Sequence, residues 1–220
     1  MDDHGTARDT FYFNVHGEIN TRKTIELAHE RATLLGIDKA VVASETGLSA
    51  LEALKVFKDV EVIVVSSAAG TEVEDTAIGD LRIGIPDEDI HKRLTEGGAK
   101  VVRGTDPFWN LGAHTRLVDT GKLGMMFLKT LTSGLHVCMT AVLEATDAGH
   151  LAAGEEAVAM AGSWVGLDTA IVARAANSVR FFDEFEVLEL ICKPRRARHA
   201  WPVDQKTWVG DLDKYRRFTA

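Results

Sequence analysis

The chain of 220 residues carries 25 Lys/Arg against 33 Asp/Glu, a formal charge of −8, with 45% hydrophobic and 26% charged residues. That length and balance suit one soluble domain with an ordinary core, and the acidic surplus disfavours generic nucleic-acid binding. No apolar run approaches the roughly 20 residues of a membrane span. The polar, acidic start MDDHGTARDT lacks a signal-peptide pattern, so a cytoplasmic protein with no nucleic-acid or membrane partner is expected.

In chain order, residues 1–10 read as disordered, and FYFNVHGEIN as a short apolar stretch running into a turn. NTRKTIELAHERATLLG reads as a helix: Asn20 is a plausible N-cap, Ile25, Ala28, Ala32 and Leu35 share a face, and Gly36 stops it. KAVVAS is a buried strand, followed by a helix from about Ser49 to Phe57. VEVIVVSS is a second strand whose unbroken Val/Ile run suits burial on both faces. After the long loop AAGTEVEDTAIGDLRIG, Pro86 sits near a helix start with Asp87, Glu88 and Asp89 in the first turn, where the helix dipole favours anions. That helix ends at Gly97-Gly98, and AKVVRG is a third strand.

TDPFWNLGAHTRLVDTG is an aromatic loop, and residues 123–149 are largely helical with a break near Ser133-Gly134. EEAVAMAG is a fourth strand, GSWVGLDTAIVARAA a turn followed by an apolar run, and EFEVLELIC a last strand whose loose alternation suggests an edge. Strands alternating with helices define a three-layer α/β/α domain with a mainly parallel sheet. The segment from Lys193 to Ala220 has eight Lys/Arg and three Asp/Glu, a charge of +5 on an acidic body. With Trp201, Trp208, Tyr215 and Phe218, it is expected to dock on its own domain or on a neighbouring subunit.

Two loops have the composition of a ligand site. Ser44, Glu45, Thr46, Gly47 and Ser49 separate the first buried strand from its helix, and AGSWVGLDTA comes after the fourth. Ligands of open α/β sheets bind beyond the carboxyl ends of strands, where the strand order switches, and helix-start amides favour anions. Neither loop is a Walker or dinucleotide motif, so two readings stay open on these residues: a phosphate cradle, or a helix merely capped by Ser49 or Thr46. Asp168 is read either as orienting a sugar-like hydroxyl or as a cap for the apolar segment after it. His114, near Trp109 and Arg116, is read either as an acid, base or phosphate contact or as a plain loop residue. Cys138 is expected in the core. The eight histidines lack metal-ligand spacing, so no metal site is expected.

The stretch VVASETGLSALEAL resembles the phosphate-gripping turn in the C-terminal domain of pyruvate kinases. The pieces FYFNVHGEINTRKTIELAHERATLLGI, VIVVSSAAG, HVCMTAVLEATDAG, AGSWVGLDTAIVARAANSVRFFD and EVLELICKPR extend the match. Together they resemble free-standing pyruvate kinase α/β-domain-like proteins over about residues 11–195, leaving 196–220 as a basic, aromatic extension. The resemblance implies about five strands in order 3-2-1-4-5, the last antiparallel, with the two loops facing each other. It implies a phosphorylated small-molecule ligand, with FMN as cofactor, held by Ser44, Thr46, Gly47, Ser49 and Ala50 and by Gly162, Gly166, Asp168 and Thr169. Trp164 departs from the family pattern and either stacks on a flat ring or packs. No room remains for a catalytic barrel, so pyruvate kinase activity is not expected. An enzyme on the same site (a flavin-dependent oxidoreductase or phosphate-ester chemistry) and an interaction protein using the tail are the alternatives, and a homo-oligomer is expected.

Overall fold

Period-two burial builds the centre of the molecule. In β2 (Lys39–Ala43), Ala40 and Val42 face one core cluster and Val41 the other. In β3 (Glu61–Ser67), Val62 and Val64 oppose Ile63 and Val65 in the same way, as adjacent residues of a pleated strand must. A sheet that is apolar on both faces needs helices on both. Here α1 (Thr21–Leu35), α2 (Leu48–Val56) and α3 (Glu88–Glu96) cover the first face, and α4 (Ser133–Asp147) the second. The computed structural model describes residues 4–76, 78–108, 124, 128–196 and 210–219.

The remaining strands are β1 (Phe11–Phe13), β4 (Glu72–Val73), β5 (Leu81–Arg82), β6 (Lys100–Gly104), β7 (Glu156–Ala161), β8 (Thr169–Arg174) and β9 (Glu186–Pro194). The main sheet runs β1-β9-β8-β7-β2-β3-β6, while β4 and β5 form a small antiparallel hairpin. β2, β3 and β6 progress outward in parallel, and the chain then returns through α4 to place β7 on the other side of β2, also parallel. The progression therefore reverses between β2 and β7, the two strands expected to lie side by side.

The three-layer, mainly parallel architecture is as expected; the count and direction of strands are not. The sheet has seven strands rather than about five, and the antiparallel strand is β8, which pairs antiparallel with both β7 and β9. The six residues of β8 are buried except for Arg174. An apolar run without alternation reads equally as strand or buried helix, so only the tight return fixes it: Asp168 N donates to Ala161 O at 3.0 Å. β1 escapes a sequence reading because it has three residues, paired in parallel to the end of β9. The rest of β9 forms an edge, as its alternation suggests.

Local signals account for the helix ends. Asp87 caps α3, its carboxylate accepting from the amides of Asp89 (3.0 Å) and Ile90 (3.2 Å). Gly36 ends α1 in the left-handed region. Asn20 precedes α1 but does not cap it with its side chain, which donates instead to Val15 O at 2.8 Å. The expected break before α4 falls at Thr132, whose hydroxyl accepts from Gly134 N. Among the described residues no helix is long and apolar enough to cross a membrane.

Candidate functional site

At the switch point, the chain leaves β2 at Ala43 and enters α2 through Ser44 to Gly47. The helix begins at Leu48, with Gly47 as N-cap in the left-handed conformation, and no side chain caps it. This removes the plain capping reading: Ser49 lies inside the first turn, and neither it nor Thr46 accepts from the helix-start amides as a cap would. The amide end of α2 keeps its partial positive charge.

Ser44, Thr46 and Ser49 are 6%, 5% and 8% exposed and line a cavity of about 260 Å³. Among the described residues the hydroxyls of Ser44 and Thr46 make no hydrogen bond to another group. Gly162, Ser163, Trp164 and Gly166 of the loop after β7 form the opposite wall. Val73, Leu81 and Ile83 of the β4–β5 hairpin also line it, as does Val137 of α4. The two loops singled out in the sequence thus meet across one cavity. Trp164 is partly buried and packs against the larger core cluster while lining this cavity.

Four of the sequence candidates lie beneath the cavity rather than on it. Gly47 has φ +82°, and a Cβ there would come 2.4 Å from Ile90 Cγ2, so glycine lets α2 approach α3. Ala50 is fully buried in the core. Asp168, fully buried, accepts from Ser163 N (3.1 Å), Ser163 Oγ (3.2 Å), Thr169 Oγ1 (3.1 Å) and Gly17 N (3.3 Å). It is neither a ligand arm nor a helix cap, since the next element is a strand; it ties the β7–β8 loop to the entry of α1. Burial pushes its carboxyl up to about 6, against the pull of those donors. Thr169 Oγ1 is shared between Asp168 and Thr132 Oγ1 (3.3 Å).

The entry to α1 closes the loop from behind. Thr21 Oγ1 accepts from Leu167 N (3.0 Å), Thr24 Oγ1 donates to Leu167 O (3.2 Å), and His16 Nδ1 meets Ser163 Oγ at 3.2 Å. Gly166, at φ +76°, allows that approach: a Cβ would stand 2.5 Å from Glu18 Cα.

Two further residues reach the cavity without a sequence signal that places them there. Glu45 lines it, but its carboxylate accepts from Ser66 Oγ (3.0 Å), Ser67 N (3.1 Å) and Ser67 Oγ (2.9 Å), which anchors the cradle loop to β3. Its carbonyl accepts from Ile85 N at 2.8 Å, drawing in the segment before α3. Tyr215, from the C-terminal extension, is 3% exposed and lines the cavity beside Ser49. Residues 210–219 of the extension therefore pack on their own domain. Cys138 and Cys192 are both buried and free. Trp109, His114, Arg116, Trp201 and Trp208 lie outside the described residues.

The mainly parallel sheet, switching strand order between β2 and β7, and the three-layer packing define an α/β/α domain with a helix start at its switch point. Over residues 22–173 the sequence matches the family described as pyruvate kinase, alpha/beta domain. The chain belongs to this family. Among solved structures, a pyruvate kinase from Cryptosporidium parvum is similar to it at 12% identity and a TM-score of 0.38, with 71% of this chain and 23% of that one covered. The chain thus spans less than a quarter of that enzyme's length. β9 and the C-terminal extension lie beyond the family match.

Proposed function

We propose that the domain binds a phosphorylated small molecule in the switch-point cavity, with its phosphate on the first turn of α2, and that it acts as a binding domain rather than a pyruvate kinase. One observation carries this reading: an uncapped helix start and three buried hydroxyls, Ser44, Thr46 and Ser49, share one cavity wall. Backbone amides and hydroxyls are donors suited to phosphate oxygens, and burial from water strengthens such bonds.

Flavin mononucleotide is the ligand we favour. Its phosphate suits this cradle, and Trp164 on the facing loop offers an aromatic surface to a flat ring. When bound, a flavin would supply a two-electron redox centre; the cradle residues and Trp164 would hold and orient it.

The protein is expected to gain thermal stability from flavin mononucleotide, as any ligand specific to the folded state requires, and to release flavin on denaturation when purified with it. Ser49→Asp places a carboxylate where the phosphate is bound. It is expected to weaken flavin mononucleotide binding about thirtyfold, roughly 2 kcal/mol, with the melting temperature of the free protein changed far less. Unchanged affinity in titration calorimetry would move the anion away from α2.

A further inference from the structure

Part of the C-terminal extension, expected to dock on its own domain or on a neighbouring subunit, reaches the cavity. Asp213–Phe218 forms a 3-10 helix that buries Tyr215 and Phe218. Tyr215 enters the cavity beside Ser49, one of the three cradle hydroxyls. The residues around it are fastened at the rim: Lys214 pairs with Glu18, Arg217 with Asp87, Asp211 N donates to Glu18 Oε2 at 3.2 Å, and Thr219 bridges to Leu81 of β5.

Cavity size makes this contact more than core packing. With Tyr215 seated, the cavity measures about 260 Å³, and a second one of about 350 Å³ lies alongside. Both are lined by Ser49 and Tyr215, so this pair is the partition between them. Pockets for small organic ligands run from about 300 Å³ upward. The closed cavity holds a phosphate group with a small remainder; a larger molecule needs the partition withdrawn. The fastenings suit withdrawal. Both ion pairs are partly exposed, with Lys214 and Arg217 side chains 36% and 49% accessible, and such pairs contribute little individually.

We propose that residues 210–219 are a displaceable plug of the α2 cradle: Tyr215 fills the space beside Ser49 until an anionic ligand takes its place and this segment lifts. The proposal rests on the reading of this cradle as a phosphate site. A phosphate oxygen takes that space in preference to the phenol because its bonds to the cradle hydroxyls and helix-start amides are charge-assisted. Burial and the nearby Glu18 push the Tyr215 phenol above its ordinary range, so it docks uncharged. While the plug is seated, the apparent affinity is reduced by the fraction of molecules that are open.

Two full-length variants test this with inorganic phosphate as the probe. Tyr215→Ala removes the ring that fills the space beside Ser49; Lys214→Gln with Arg217→Gln removes both rim ion pairs and leaves the buried residues alone. Each is expected to bind phosphate about fivefold more tightly than the native chain, as follows when the open fraction rises by that factor. In the native chain, phosphate is expected to accelerate tryptic cleavage after Arg216 severalfold. Phosphate affinity in both variants no higher than in the native chain overturns the plug, as does phosphate binding with no change in cleavage. Flavin mononucleotide is titrated separately. If both variants gain phosphate affinity while no form binds flavin mononucleotide, the plug stands and the flavin reading falls.

Discussion

Gly47→Ala is expected to lose about 3 kcal/mol of folding stability, measured by urea unfolding with an unchanged denaturant slope. Two costs add at this residue. The left-handed conformation at φ +82° costs a residue with a Cβ roughly 1–2 kcal/mol, and forcing a methyl into a filled core costs about 1–3 kcal/mol more. The second cost arises because the Cβ would stand 2.4 Å from Ile90 Cγ2 and 3.2 Å from Leu94 Cδ1, both on the fully buried face of α3. Gly36→Ala separates the two. Gly36 is also left-handed, at φ +69°, but has nothing within 4 Å of an added Cβ. It is expected to lose only about 1 kcal/mol. Equal losses at the two positions would show that α2 and α3 are not in contact at Gly47.

Glu144→Gln is expected to stabilise the protein by roughly 2–3 kcal/mol at pH 8 and to change it little at pH 5. Glu144 lies on α4, and its Oε2 is buried without a hydrogen-bond partner. Burial, and then the nearby carboxylates of Asp106, Glu45 and Asp147, push its carboxyl up to about 7 from an ordinary 4.5. The sign depends on which state holds the proton. Below pH 4.5 both the folded and unfolded chains are protonated, and no penalty arises. Between 4.5 and 7 the unfolded chain has released a proton that the folded protein keeps, so stability falls as pH rises. Above 7 the folded group is ionised and the full penalty remains. Asp168, raised by burial to about 6, acts in the same direction. Asp87 and Glu189 are shifted down, mainly by hydrogen bonds from Ile90 and Arg31 respectively; burial raises Asp147 but is outweighed by hydrogen bonds from Ser178 and Asn177, and all three oppose this only in more acidic solution. The native protein is therefore expected to gain stability between pH 8 and pH 5.5, and Glu144→Gln to remove most of Glu144's share. Parallel native and variant curves across that range would show that Glu144 ionises elsewhere.

Much of this architecture is local and therefore readable in the chain. The Val/Ile runs of β2 and β3, the acidic first turn of α3 with Asp87, and Gly36 after α1 each combine a periodicity with a stop or start signal a few residues away. The cavity was half legible for the same reason. Glycines and hydroxyls clustered between a strand and the next apolar run mark close backbone approach, and Ser44, Thr46, Ser49, Gly162, Trp164 and Gly166 do line it. Asp168 and Gly47 carry the same composition signal, yet they face inward, because composition says nothing of side-chain direction.

What the sequence determined by itself is the layer order and the pair of strand ends where the cavity forms, since both depend on which residues must leave water. Tertiary structure alone decided whether TAIVAR is strand or helix, because a run buried on all sides has no polar face to set its period. It alone decided that the first turn of α2 is left uncapped, because that goes with a left-handed backbone at Gly47, where Ile90 and Leu94 of another helix leave no room for a Cβ. And it alone brought Tyr215 to Ser49: a contact across most of the chain's length is set by the fold between them, and no local pattern encodes it.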